Sequence, residues 1–220
     1  MLSVVIEPVI YVIVSLSIIG VLSLCYLFKD QLEEIKTHIR KTNILHKKLK
    51  KYCKNHDYIL LTNLILPTSD GKKIKVDDLV IADKYIYVIS QRILYGNISG
   101  IEEDAKWILR STKESKYISN PFIANEIRKK VIAEIANIDS STLINLVCFS
   151  KTAFTHDVKI KSNDKVLTNI NKIEHDIHTY EKKSQLNDYL NEDVSKLAEF
   201  LYQTSKNTIR KGSLNNRKVD

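Results

Sequence analysis

Apolar residues fall along this chain in three rhythms. From Val9 to Phe28 they form one block, VIYVIVSLSIIGVLSLCYLF, which holds 20 residues and no charge. At a helical rise of ~1.5 Å per residue such a block matches a hydrocarbon core of about 30 Å. The pattern therefore predicts a transmembrane helix over 9–28, preceded by a short extracytoplasmic stretch, 1–8. Next, Leu32, Ile35, Ile39, Leu45 and Leu49 recur at near-helical spacing among charges, which predicts a juxtamembrane helix over 29–57, broken near Thr42–Asn43.

Beyond position 57 the rhythm shortens. YILLTNLILP (58–67), KIKVDDLVIA (73–82) and YIYVIS (85–90) read as strands, separated by turn chemistry at Asp70–Gly71 and Asp83–Lys84. Three strands joined by short turns form an antiparallel meander. Gly96, Asn97 and Gly100 are expected to mark the next bend. Asn120–Pro121 is a helix start, because the Asn side chain can accept from free backbone N–H groups and Pro at the first helical position lacks the hydrogen that would go unpaired. That helix is expected to reach about Ala136. LINLVCFS (143–150) follows as a buried strand, which a crossover helix would lay parallel to a meander strand. Helices are expected over 168–183 and 192–205, the latter with Val194, Leu197, Phe200 and Leu201 on one face. Residues 204–220, polar and basic, read as a disordered tail. The expected fold class is α/β in the mixed α+β sense: a three-stranded meander extended by a crossover strand and flanked by helices, within a domain spanning 42–203.

Charge adds an orientation. Residues 1–28 contain no Lys or Arg and one acidic residue, Glu7, so 29–220 hold 34 basic against 25 acidic residues, a net +9. Lys29, Lys36, Arg40 and Lys41 follow the apolar block closely and none precedes it, which predicts a single-pass cell-membrane protein with a cytoplasmic C-terminal domain. The absence of a basic leader and of a small-residue cleavage site before Lys29 argues against a removed signal peptide. Residues 9–28 would meet membrane lipid. The positive excess favours an anionic partner, DNA or RNA on one hand and the anionic leaflet on the other, without choosing between them. Its densest run is KKLKK (47–51) with Arg40, Lys41 and Lys54, which reads first as a solvated, leaflet-facing patch and second as a nucleic-acid contact. Cys25, Cys53 and Cys148 form no CxxC pair and are expected to be free thiols. His175 and His178 share a helical face near Glu174 and Asp176, but without a third ligand at a fitting spacing they read as a solvated face rather than a zinc site. No P-loop, Rossmann glycine pattern or nucleophile elbow is present.

The stretch YILLTNLILPTSDGKKIKVDDLVIADKYIYVISQRILYGNISG, with Trp107 and then NPFIANEIRKKV, resembles the nuclease-related domain family. That family shows a Leu-Pro strand, an Ile-Asp-His strand, a Gly-Ile-Phe-Val-Ile-Glu-x-Lys strand, a Gly-x-Ile-x-Gly turn, a Trp and an Asn-Pro-x-x-Gln helix. The likeness covers roughly 42–137 and implies a restriction-endonuclease-like, PD-(D/E)xK-like fold and Mg²⁺-dependent phosphodiester chemistry. Carried over residue by residue, it places the family aspartate, a Mg²⁺ ligand, on Asp77. The histidine after it is Asp78 here. The catalytic glutamate falls on Ser90 and the lysine on Arg92, the helix glutamate on or near Asn43 with its glycine on Thr42, and the Asn-Pro glutamine on Ala124.

These replacements bear on chemistry. Cleavage needs a hard cation held by two or more carboxylates, with a lysine beside it. Ser90 offers a neutral oxygen. Asp77 and Asp78 are adjacent on a strand and point to opposite faces, so they cannot share one ion. Arg92 keeps a positive charge but stays protonated near neutral pH. Ser90 and Arg92 share a face, so a phosphate-binding feature can outlast the catalysis. The alternative for Asp77 is a strand residue making turn hydrogen bonds. Rescue of the site would require Gln91, Glu102, Glu103 or Asp104 to move into it. Trp107 reads as a core anchor rather than a base-stacking platform. Three functions follow: a catalytically degenerate domain that binds nucleic acid or phosphate groups at the cytoplasmic membrane face; a membrane-tethered protein-interaction or scaffold domain; and an active Mg²⁺-dependent nuclease with a rearranged site. No cofactor other than Mg²⁺ is implied.

Overall fold

The computed structural model describes residues 44–112 and 114–216, together with 14, 17–21 and 23. The chain divides into two compact units, Met1–Asn43 and Ile44–Asp220. The span expected over 9–28, Leu32, Ile35 and Ile39, and the break near Thr42–Asn43 lie outside the described residues, save for the few N-terminal positions, which are helical. Among the described residues no helix is long and apolar enough to cross a membrane.

The second unit is a mixed α/β domain with two sheets. It opens with a helix over 44–55 (α1), followed by β1 (Ile59–Pro67), β2 (Lys73–Ile81) and β3 (Ile86–Arg92). These three pair in antiparallel order as the alternation predicts, and the Asp70–Gly71 turn is closed by Thr68 N–H donating to Lys72 O. Gly71 adopts φ +80, a left-handed conformation that glycine enters without a Cβ clash. The helix expected from Asn120 is α2 (Pro121–Ala136), and the Asn120 side chain accepts from Phe122 N–H at 3.0 Å. It delivers the chain to β7 (Leu143–Phe149), which lies parallel to β3. The sheet order is β1-β2-β3-β7-β9, where β9 is Lys165–Asn169.

A second sheet, unforeseen from the pattern, lies between β3 and β9 in sequence. It consists of β4 (Gly96–Ile101), β5 (Lys106–Arg110), β6 (Ser115–Ser119) and β8 (Ala153–Lys159), in the order β6-β5-β4-β8. Gly96 and Gly100, expected at a bend, are strand residues. A Cβ on Gly96 would stand 2.2 Å from Arg110 O, and one on Gly100 would stand 2.3 Å from the Trp107 ring, so close approach rather than turning is what both glycines serve. The helix expected over 168–183 is shorter, α3 (Ile173–Lys183), because β9 occupies its first residues. The last helix, α4 (Asn191–Asn216), runs well into the stretch expected as a disordered tail; there Ser205 Oγ accepts from Ile65 N–H at 2.8 Å, and Thr208 is buried.

Helices cover both faces of the first sheet. Leu45, Leu49, Tyr52 and Cys53 of α1 and Ile173 and Ile177 of α3 pack on Val80, Tyr87, Ile89, Leu146 and Cys148. On the other face, Val131 and Ile132 of α2 and Ala198 and Leu201 of α4 pack on Leu79, Ile81, Ile86 and Val88. Where α2 starts, Trp107 is fully buried, donates from Nε1 to Ile101 O at 2.8 Å and meets Phe122 edge-on at 5.8 Å. It is a core anchor. Cys53 and Cys148 are free and buried, and burial pushes both thiols up to about 12; Cys25 lies outside the described residues.

Candidate functional site

The period of two along β3 sets the geometry. Ile86 and Val88 face α2, so Ser90 and Arg92 are turned to that same side, while Tyr87, Ile89 and the position of Gln91 belong to the α1 side. On β2, Asp78 pairs with Ile89, and continuing the register by one residue sets Asp77 level with Ser90. Asp77 sits where the in-and-out alternation of β1 and β2 switches, although the register between them runs on unbroken. Asn63 opposite it has φ +52, and Leu61 with Leu79 on one side of this point, and Leu64 with Val76 on the other, reach the same core. Asp78 turns away toward α1, where its Oδ1 lies 3.5 Å from His46 Nδ1. Burial raises the Asp78 carboxyl above the ordinary range, and the Asp77 charge adds to this, while His46 opposes it.

Asp77, Ser90 and Arg92 thus lie in one region, and α2 brings a residue that sequence reasoning missed. Asn125 donates to Val88 O at 2.6 Å and to Asn145 Oδ1 at 2.9 Å, which fixes α2 over β3 and β7. One turn on, Arg128 donates from Nε to Lys75 O at 2.7 Å, two residues before Asp77. Arg92 is lowered from its ordinary value first by burial and then by the like charge of Arg128, against the pull of Asp77. No ion pair among the described residues neutralises the Arg92 guanidinium, and Asp77 is itself in an ion pair with Lys75 at 3.3 Å. Ser90 is 1% exposed, and its Oγ, together with Asn125 Oδ1 and Arg128 Nη1, is buried without a hydrogen-bond partner. Buried polar atoms are seldom left so, since each unmade bond costs about 1–3 kcal/mol.

This donor set does not fit Mg²⁺. Asp77 is the one carboxylate among the described residues of the site, it already faces Lys75, and two guanidinium groups stand where a cation would add a third positive charge. Among the described residues no three His, Cys, Asp or Glu side chains converge to hold a metal ion. The candidate substitutes are engaged elsewhere. Glu102 is held by residues 161–165, Glu103 pairs with Lys161, and Asp104 accepts from Ile101 N–H at 3.2 Å. Ala124, where the family has glutamine, contributes no polar group; Thr42 and Asn43 lie outside the described residues.

The other sequence candidates fall away from this region. Lys48 donates to Ile170 O at 2.8 Å and Asn171 O at 3.0 Å, tying α1 to the start of α3, whereas Lys47, Lys50, Lys51 and Lys54 are exposed. His175 and His178 line a shallow cleft of about 440 Å³ with His56 and Tyr52.

The sequence model of the family described as Nuclease-related domain matches residues 35–150. No curated protein and no solved structure matches the chain.

Proposed function

Because this chain belongs to the nuclease-related domain family, we propose that it retains the family's hold on the phosphodiester backbone and has lost the cutting step. The observation that carries this reading is the grouping of Ser90, Arg92 and Arg128: two cationic groups and a buried hydroxyl, with the Ser90 Oγ and Arg128 Nη1 donors unspent, and a single carboxylate already paired. Charged donors gathered without an acceptor suit a phosphate oxygen, which accepts from arginine in charge-assisted bonds. Cleavage would require the second carboxylate that Ser90 replaces. The restriction-endonuclease-like arrangement of the first sheet is part of this proposal.

The domain acts at the cytoplasmic face of the cell membrane, held there by residues 9–28. The uncharged run and the Lys and Arg that follow it support this placement. Alkaline extraction of cell membranes should leave the protein in the pellet, and release into the supernatant would remove the anchor.

The deciding experiment incubates the full chain in non-ionic detergent with labelled DNA and RNA, with Mg²⁺ or Mn²⁺ and with EDTA. Binding without cleavage is expected under all three conditions, weakened about tenfold by Arg92→Ala and unchanged or tightened by Asp77→Ala. Metal-dependent cutting that Asp77→Ala abolishes would instead establish an active nuclease with a rearranged site. A protein-interaction domain is the second reading, favoured by an apolar groove of about 320 Å³ between Ile81, Ile138, Tyr189, Val194, Leu197 and Phe200. It predicts no binding beyond a weak, salt-sensitive background.

A further inference from the structure

The second sheet has one face in the core and one face open. Ile98, Trp107, Leu109 and Ala153 point inward and are buried. The register aligns the outward residues in cross-strand rows. Phe154, Asn97, Arg110 and Ser115 form one row, and Asp157, Ser99, Ile108 and Tyr117 the next. Lys159 beside Ile101, and Lys106 beside Ser119, continue the pattern on the two halves of the sheet. Tyr117 is 72% exposed and Phe154 is 53% exposed. Both are large rings on edge strands, where an apolar side chain gains little from the fold. Arg110 lies across the sheet, its Nη1 3.4 Å from Ser99 Oγ. The face carries three cations, Lys106, Arg110 and Lys159, against one carboxylate, Asp157.

We propose that this open sheet face binds single-stranded RNA, with Tyr117 and Phe154 each stacking on an unpaired base and Lys106, Arg110 and Lys159 meeting the phosphates. Aromatic rings spread over an exposed sheet face and interleaved with basic residues supply the two interactions a single strand offers, base faces and backbone charge. β6 and β8 are the outer strands of four and the two residues lie one row apart, so their backbones stand about 16 Å apart at a strand spacing of ~4.8 Å and a rise of ~3.3 Å per residue. One base cannot span that distance, and the two rings therefore take different nucleotides. RNA is favoured over DNA because Asn97, Ser99 and Ser115, in the same rows, present the donors and acceptors that a 2′-hydroxyl can use. A duplex hides its base faces and gains nothing from the rings. The surface is separate from the Ser90 and Arg92 pocket and does not depend on it.

Fluorescence anisotropy of the full chain in non-ionic detergent tests this with labelled oligo-U, oligo-dT and duplex RNA of about 16 nucleotides. Oligo-U is expected to bind most tightly, with affinity falling steeply as salt rises. Tyr117→Ala and Phe154→Ala should each weaken it between about 5-fold and 100-fold, whereas Tyr117→Phe should retain it. Both side chains are exposed, so unchanged circular dichroism and melting should accompany the loss. Equal or tighter binding of oligo-dT or duplex overturns the assignment, as do alanine variants that bind like the parent. Phosphatidylserine vesicles captured through Tyr117 and Phe154, with no oligonucleotide bound, overturn it also. Arg92→Ala separates the two surfaces: loss there with Tyr117→Ala silent removes the sheet face and keeps the pocket, and the converse keeps the sheet face alone.

Discussion

Glu102 and Arg92 are both charged side chains drawn into the fold, and their neighbours treat them in opposite ways. Burial pushes the Glu102 carboxyl up, but Lys165 and Ser162 donate to it, as do the Lys161 and Ser162 backbone N–H groups at 2.8 and 3.0 Å, and together they hold it down at about 2. Every lone pair that matters has a donor. Arg92 has the reverse surroundings: a second guanidinium within electrostatic reach, a nearby carboxylate committed to Lys75, and a buried hydroxyl beside it with no partner. A satisfied charge is a structural element, because its interactions are complete within the chain. Uncompensated donors lower stability and persist where something outside the chain completes them. The contrast assigns Glu102 to folding and Arg92 to binding.

The largest expected effect follows from the structural side. Glu102→Ala leaves Lys165 half-sheltered with no counter-charge and strands two backbone N–H groups, and should lower stability by about 3 kcal/mol in urea titration, with nucleic-acid binding unaltered at temperatures where the variant is folded. If stability is unchanged, Glu102 is not the clasp it resembles. The pH dependence is smaller and has a definite sign. A carboxyl lowered from 4.5 to about 2 by folding contributes stability above its unfolded value, and that contribution is lost as the pH falls through the folded value. Thermal stability of the parent should therefore decline between about pH 5 and about pH 2, and Glu102→Gln should flatten part of that decline. An equal slope in the variant would assign acid sensitivity to other carboxylates.

The two clusters also differ in how far the sequence exposes them. Period-two alternation and turn residues were sufficient for β1, β2 and β3, and the Asn120–Pro121 start for α2, because each signal is local and strong. The same alternation puts Ser90 and Arg92 on one side of β3 and separates Asp77 from Asp78. Arg128 is not legible, since its approach to β2 depends on where Asn125 and Asn145 anchor the helix, a contact between distant parts of the chain. The second sheet is hidden for another reason. Its strands are five to seven residues long, and one face is polar. Gly96 and Gly100, the strongest local punctuation, reflect packing against Arg110 and Trp107 rather than a turn. Glu102 looked available for the site because sequence places it near β3, and only the fold shows Lys165 and Ser162 closing on it.

The smallest expected effect is the most discriminating. Ser90→Ala removes one hydroxyl from a position that is 1% exposed and whose Oγ bonds to nothing in the chain. An ordinary buried serine loses a hydrogen bond when truncated, and stability falls by about 1 kcal/mol. Here no bond is lost and a desolvated polar group is relieved, so chemical denaturation should show a change between zero and about 1 kcal/mol in the stabilising direction. Binding should move the other way, a few-fold weaker for labelled RNA, because a phosphate oxygen loses a donor that arginine alone does not replace. Stability and affinity changing in opposite directions is the signature of a group kept for a ligand; a loss of both would mean that Ser90 belongs with Glu102 among the structural residues.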